Sequence, residues 1–186
     1  MNTKSKDPHK PVIFQNTVRD FENFRGQLIP SEHIDQYDLS DLKVAIIGAD
    51  QATVSKLENI CQKAQFVKVF QITPHFILPK TQSHIHKLIS HPLIIKNRRL
   101  FNNRIKSLLA IRHLEAQVKE TWLRRQLTPN TGAENKKFFK SDNYYIALQR
   151  DNCKLITWPV VRINADSIQS MEGVEHLIDV IITTYV

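Results

Sequence analysis

The residues best placed to do chemistry stand in one frame, Gly48-Ala49-Asp50-Gln51-Ala52-Thr53, directly after the apolar run Val44-Ala45-Ile46-Ile47. A run that short, closed by glycine, reads as a strand buried on both faces. The turn between such a strand and a following helix is where dinucleotide phosphates sit, in the pattern G-x-G-x-x-G. The first glycine allows the tight turn, the second lets the backbone approach the pyrophosphate, and the third lets helix and strand pack closely. Here only Gly48 is kept. Asp50 takes the second place and Thr53 the third. A carboxylate at Asp50 lies where an anionic phosphate should be, and it can cap the helix itself by accepting free N–H groups. The turn therefore reads as self-capped. Gly48, Ala49 and Thr53 are the cofactor contacts it still offers, and a βαβ unit without a nucleotide accounts for the same residues.

The end of the next strand is the second place to look. An acid there would bind a ribose 2′-hydroxyl, and a nearby arginine would accept a 2′-phosphate. The chain has Gln71, Ile72 and Thr73 instead. Gln71 can reach a ribose and Thr73 can donate a hydrogen bond, but neither charged reader is present.

The elements that must hold these residues follow from periodicity. Val54, Leu57, Ile60 and Cys61 fall at helical spacing, and Phe66-Val67-Lys68-Val69-Phe70 is a second β-rich run closed by Pro74. Strand, turn, helix and strand make a βαβ unit over 43–74. Further on, 97–126 is helical, with Phe101, Ile105, Leu108, Ile111, Leu114, Val118 and Trp122 in an apolar stripe. Thr128 to Lys140 reads as a loop, Asp142 as the cap of a short helix over 143–149, and 153–157, 160–164 and 177–183 as strands. Gly173 sits in a turn. Residues 1–23 form an extended N-terminal arm with Pro8 and Pro11, and 24–35 reads as a loop. The fold class is α/β: a Rossmann-like parallel sheet over 24–186 with a helical insertion at 82–126.

Composition narrows the setting. The chain has 186 residues, a formal charge of +8 and two cysteines. Cys61 and Cys153 lack metal-ligand or disulfide-framework spacing, which fits a reducing compartment, and cytoplasmic localisation is expected. No early apolar stretch resembles a signal peptide, and no run approaches the roughly twenty residues of a membrane span. His84-x-His86, near His75 and His91, would share a strand face, but no acid or cysteine completes a metal site, so none is expected. Lys96, Arg98, Arg99, Arg104, Lys106 and Arg112 crowd the helical stretch. They suit nucleic acid or an anionic membrane surface, or simply a solvated helix face. Aromatic residues are not interleaved for base stacking, which favours the solvated face and no specific nucleic acid.

Several motifs in order carry a family resemblance. Phe24-x-Gly26 with Ser31 and Asp35, then DLKVAIIGA, VFQITPHFILPK, Leu123 to Pro129, Lys136-Lys137, SDNYYIALQRDN and His176-x-x-Asp179-Val180-Ile181-Ile182 run from Phe24 to Tyr185. This order resembles the flavin-dependent monooxygenases, in particular the Baeyer–Villiger branch. The resemblance implies the NADPH-binding half of a flavoprotein with two dinucleotide-binding domains, in which reduced FAD captures oxygen and a peroxyflavin oxygenates the substrate. The FAD cradle of that family finds no counterpart in this sequence, so FAD is not expected to bind this chain alone. By the same resemblance Lys136 would meet the 2′-phosphate of NADPH, and Lys137 occupies the catalytic position of an arginine that steadies the anionic peroxyflavin. Lysine keeps the charge there but loses the planar fork.

The departures fall on ligand-facing positions. In the fingerprint F-x-G-x-x-x-H-x-x-x-W, the histidine is replaced by Pro30 and the tryptophan by Ile34, while Ile72 replaces the arginine of F-Q-R-T-P. The small-residue motif after Ile182 reads Thr183-Thr184-Tyr185. The resemblance thus implies weak NADPH binding and no autonomous oxygenase activity. It leaves two alternatives: a docking subunit that completes a separate FAD-binding flavoprotein chain, or a basic module for anionic surfaces.

Overall fold

Alternation of buried and exposed residues is suspended in the middle of the sheet, at Val44 to Ile47 and Val180 to Thr183, because both faces are covered there. The computed structural model describes residues 21–80, 98–130, 132 and 136–184. Chain order begins with a 3₁₀ turn at Phe21–Asn23, then β1 (Gln27–Pro30) and a second 3₁₀ segment, Ser31–Gln36. The βαβ unit follows as β2 (Lys43–Ile47), α1 (Gln51–Lys63) and β3 (Phe66–Phe70). Next come β4 (Phe76–Leu78), α2 (Arg98–Gln117), α3 (Thr121–Leu127), β5 (Phe138–Lys140) and α4 (Tyr144–Ala147). The chain continues through β6 (Cys153–Ile156), β7 (Val160–Ile163), β8 (Ser167–Ser170), β9 (Glu175–Leu177) and β10 (Val180–Thr183).

The main sheet is wholly parallel, in the order β1-β10-β2-β3-β6. Val44, Ile46, Val67, Val69 and Ile182 face α1, where Val54, Leu57, Ile60 and Cys61 complete the larger core. Ala45, Ile47, Phe70, Ile156 and Ile181 face the other way, onto Val160, Ile163 and Ile168 of an antiparallel ribbon, β7-β8-β9. Helix on one side and ribbon on the other explain why the central strands are apolar on both faces. Cys61 and Cys153 are both buried and free. They lie in the α1-side core, and the hydrogen bond of the Cys153 thiol to the Cys61 sulfur, followed by burial, pushes the pKa of Cys153 upward.

Several expectations are corrected. The stretch 24–35 is not a loop, since Gln27–Pro30 adds a parallel edge strand to β10. The entry to that strand explains Gly26, because a Cβ there would stand 2.3 Å from the Asp179 carbonyl oxygen. The expected last strand over 177–183 is two elements. Glu175–Leu177 pairs antiparallel with β8 and Val180–Thr183 joins the parallel sheet, with the break at Asp179, whose N–H bonds to Lys43 O at 2.8 Å. The loop at 128–140 ends in β5, which pairs in parallel with β4.

The helical stretch divides at Glu120, whose carboxylate accepts from the N–H groups of Trp122 and Leu123 and starts α3. Its buried face is also rotated from the expected stripe: Ser107, Ala110, Leu114 and Val118 are buried, while Ile105 and Leu108 are exposed. Small residues win at 107 and 110 because α2 packs against β4, where Ala110 meets Phe76 and Leu78. Asp142 does not cap α4. Ser141 Oγ accepts from Tyr144 N–H at 3.1 Å, and Asp142 instead accepts from Lys80 N–H at 2.8 Å. Of the insertion at 82–126, residues 82–97 lie outside the described residues, as do residues 1–20 of the arm.

Candidate functional site at the glycine turn

Gly48 leaves β2 with φ at +89°, a conformation that favours glycine, and its N–H bonds to Phe70 O at 3.0 Å. Asp50 then starts α1 with a reciprocal capping box. Its Oδ1 accepts from Thr53 N–H at 2.8 Å and from the Thr53 hydroxyl at 2.9 Å, while Asp50 N–H donates to Thr53 Oγ1 at 3.0 Å. The other carboxylate oxygen accepts from Ser31 Oγ, which is buried. Both oxygens of Asp50 and the hydroxyl of Thr53 are thus engaged within the protein.

At the end of β3, Gln71 is buried, and Ile72 is 40% exposed. Gln71 Oε1 accepts from Tyr144 Oη, and its Nε2 donates to the carbonyl of Thr73 at 3.1 Å. Burial pushes the pKa of the Tyr144 phenol well above its ordinary value, so it stays a donor. Tyr144 also packs over the turn, at a gap too small to hold a water, with Ile46, Gly48, Ala49, Thr53, Leu57 and Val69 around it. Tyr144 and Ser31 both bind predicted site residues, and neither role was legible in the sequence. Each partnership spans elements far apart in the chain and leaves no local pattern.

The two lysines arrive from a third direction. Lys136 Nζ lies 3.5 Å from Ser107 Oγ and 5.7 Å from the centroid of Phe76. Its backbone leads into β5, which Gln51 ties to the start of α1 by two bonds with Lys140, at 2.9 and 3.0 Å. Lys137 is exposed, and its carbonyl accepts from Phe76 N–H at 3.2 Å. His75 packs edge-on to Phe139, and burial, followed by the charge of Lys137, lowers its pKa.

The structure therefore brings Gly48, Ala49 and Thr53 together at the packed turn and joins Gln71 to them through Tyr144. Thr73 is exposed beyond the end of β3, and the Lys136 ammonium is engaged by α2 and β4 rather than by the turn. Among the described residues, no cluster of His, Cys, Asp and Glu is arranged for a metal. His84, His86 and His91 lie outside them. No described helix is long and apolar enough to cross a membrane.

A parallel sheet with a glycine turn and a crossover helix gives this chain a Rossmann-like α/β fold, here with an antiparallel ribbon on the far face of the sheet. The chain is related to the flavin-dependent monooxygenases of the Baeyer–Villiger type. It is 30% identical to a Baeyer–Villiger monooxygenase of Pseudomonas aeruginosa over 87% of its own length and 35% of that protein. It is 26% identical to an FAD-binding monooxygenase of Aspergillus niger, over 83% of this chain and 29% of the relative. Steroid monooxygenase bound to NADP superposes with a TM-score of 0.67 at 17% identity, covering 87% of this chain and 42% of the other. Cyclohexanone monooxygenase from Rhodococcus bound to NADP+ gives 0.69 at 15%, with coverage of 87% and 42%. The chain thus spans between 29% and 42% of these proteins. It matches no protein-family model.

The residues at the turn do not fit a pyrophosphate well. Gly48 keeps the left-handed turn, but a carboxylate with both oxygens engaged caps the helix N-terminus. The strand end presents an exposed isoleucine where a cation would meet a phosphate.

Proposed function

We propose that this chain is a monooxygenase-type NADPH domain with a closed nucleotide turn, and that it has no oxygenase activity of its own. The observation that carries this reading is the capping box between Asp50 and Thr53, locked from outside by Ser31. A nucleotide phosphate approaching α1 meets negative charge instead of free N–H donors. Lys136 is the remaining cation for a 2′-phosphate, and Gly48, Ala49, Thr53, Gln71 and Thr73 are the other contacts. Lys137 supplies charge at the catalytic position without the arginine fork. Hydride transfer needs a flavin held against the nicotinamide, and the described residues form one dinucleotide fold.

Calorimetric titration with NADPH tests the reading. Binding in the millimolar range or weaker is expected, and low-micromolar affinity would overturn it. Oxygen uptake by the protein with added FAD, NADPH and ketone should equal the protein-free rate.

A second reading, docking onto a separate FAD-binding chain, draws support from the exposed apolar side chains of the ribbon. Trp158, Val161, Met171 and Leu177 are each about half exposed. Co-purification of a flavoprotein from the native host would favour it.

A further inference from the structure

On the sheet face opposite α1, three cations stand on neighbouring strands. Ala45, Phe70 and Ile156 face the ribbon there, and period-two alternation puts Lys43, Lys68 and Lys154 on the same face. Lys68 and Lys154 are direct partners in the β3–β6 ladder. Lys43 lies on the next strand, two residues before Ala45, the partner of Lys68. Neighbouring strands are about 4.8 Å apart, and like charges opposed across a ladder destabilise it. Lys68 is half-buried, with its ammonium 5.5 Å from the centroid of Phe66. Burial, then Lys154 and Lys43, lower its pKa. The ion pairs among the described residues, Lys56–Asp35 and Arg150–Glu58, involve none of the three.

A second observation lies beside them. His176 of β9 is 5% exposed and stands edge-on to Phe70, with ring centroids 5.5 Å apart. Its Nε2 is buried and has no hydrogen-bond partner among the described residues. Burial, followed by the charge of Lys68, lowers its pKa, Lys154 adds to this, and Glu172 opposes it. The nearby carboxylate of Asp179 is engaged by Lys43 N–H at 2.8 Å.

From this juxtaposition we propose that Lys43, Lys68 and Lys154 form a second anion site, distinct from the glycine turn, that takes a compact phosphate-class oxyanion. A single carboxylate would leave most of the cationic charge uncompensated, whereas a phosphate dianion matches it better. The bound anion also offsets the repulsion that His176 feels, so its imidazole gains a proton more readily. The site does not depend on NADPH binding, because it lies across the sheet from α1.

The test is a titration of the full chain with inorganic phosphate, at constant ionic strength set with chloride, followed by amide NMR shifts and melting temperature. Saturable shifts at residues 43, 68, 154 and 176 are expected, with a rise in the titration midpoint of His176. Lys68→Met with Lys154→Met should weaken phosphate binding at least about tenfold. The same pair should raise the melting temperature in phosphate-free buffer, because it removes opposed like charges. Lys119→Met, on an exposed position away from the sheet, should change neither. Non-saturable shifts, or equal losses in Lys119→Met and the paired variant, would overturn the site. If a single-stranded oligonucleotide binds through these lysines while inorganic phosphate does not, the surface is a polyanion track and the proposal fails. NADPH that shifts the glycine turn but not these residues leaves the site standing and separates it from the nucleotide reading.

Discussion

Replacing Asp50 with glycine and Ile72 with arginine should move stability and nucleotide affinity in opposite directions. Asp50 holds three donors: the N–H and hydroxyl of Thr53 and the hydroxyl of Ser31. Glycine is itself tolerated at a helix N-cap, so loss of the cap costs only about 0.3–0.5 kcal/mol, and a buried hydroxyl left without its acceptor adds about 1 kcal/mol. Ile72 is exposed, and a surface substitution there costs within about 0.5 kcal/mol. For a domain of this size each kcal/mol lowers the melting temperature by roughly 2–4 °C, so the double variant should melt roughly 3–6 °C lower. Removing the like charge and adding a charge-assisted bond to the 2′-phosphate should together gain about 3–5 kcal/mol. That corresponds to roughly two to four decades in NADPH affinity. Differential scanning fluorimetry reads the first quantity and calorimetric titration the second. An unchanged melting temperature would refute the account of the cap. A lower melting temperature with no gain in affinity would show that the packing of Tyr144 over the turn excludes the nucleotide whatever the turn carries.

Other expectations follow from individual residues. Lys136→Ala should abolish any residual NADPH binding seen by calorimetry. It should change stability by less than about 1 kcal/mol, because its hydrogen-bond contact with Ser107 is long at 3.5 Å. Gly26→Ala should destabilise by about 3 kcal/mol in urea unfolding, since its methyl would press on the Asp179 carbonyl at 2.3 Å. His75 and His176 both have pKa values lowered in the fold, chiefly by burial. The unfolded chain therefore binds more protons below its ordinary histidine pKa of about 6.5, and stability should fall as pH drops from about 7 to 5. Melting temperatures across that window should show the fall, and His176→Phe should flatten it.

The central βαβ unit was legible because two periodicities change over at Gly48, and aspartate at position 50 is a strong local capping signal. The edge strand was not. Gln27–Pro30 is four residues long, sits between Gly26 and a 3₁₀ segment, and becomes a strand by pairing with Val180–Thr183 at the other end of the chain. Phe138–Lys140 was hidden for a similar reason, since its partner is Phe76–Leu78 across the insertion. The face of α2 was misread because hydrophobicity marked Leu108 and Ile105, whereas close packing on β4 selected Ser107 and Ala110. At the site, the loss of the second glycine and of the strand-end cation was readable position by position. The internal partners of Asp50 and Gln71, Ser31 and Tyr144, were not, because they depend on tertiary contact.

Those partners decide how the turn behaves. Dinucleotide sites of this type keep donors free at the helix N-terminus and polar groups free at the second strand, so that the ligand completes them. Here Asp50 satisfies the Thr53 N–H, Ser31 satisfies the second carboxylate oxygen, and Tyr144 with the Thr73 carbonyl satisfies Gln71. A nucleotide would have to break bonds that already have good geometry before forming its own, and each exchange gains little net free energy. The same bonds tie α1, α4 and the first 3₁₀ segment after β1 to the strand ends, so these polar groups stabilise the fold. On the proposed reading, tight NADPH binding therefore requires more than adding a cation at position 72. The cap at Asp50 must be opened as well, and that is why the paired substitution tests the reading where either change alone does not.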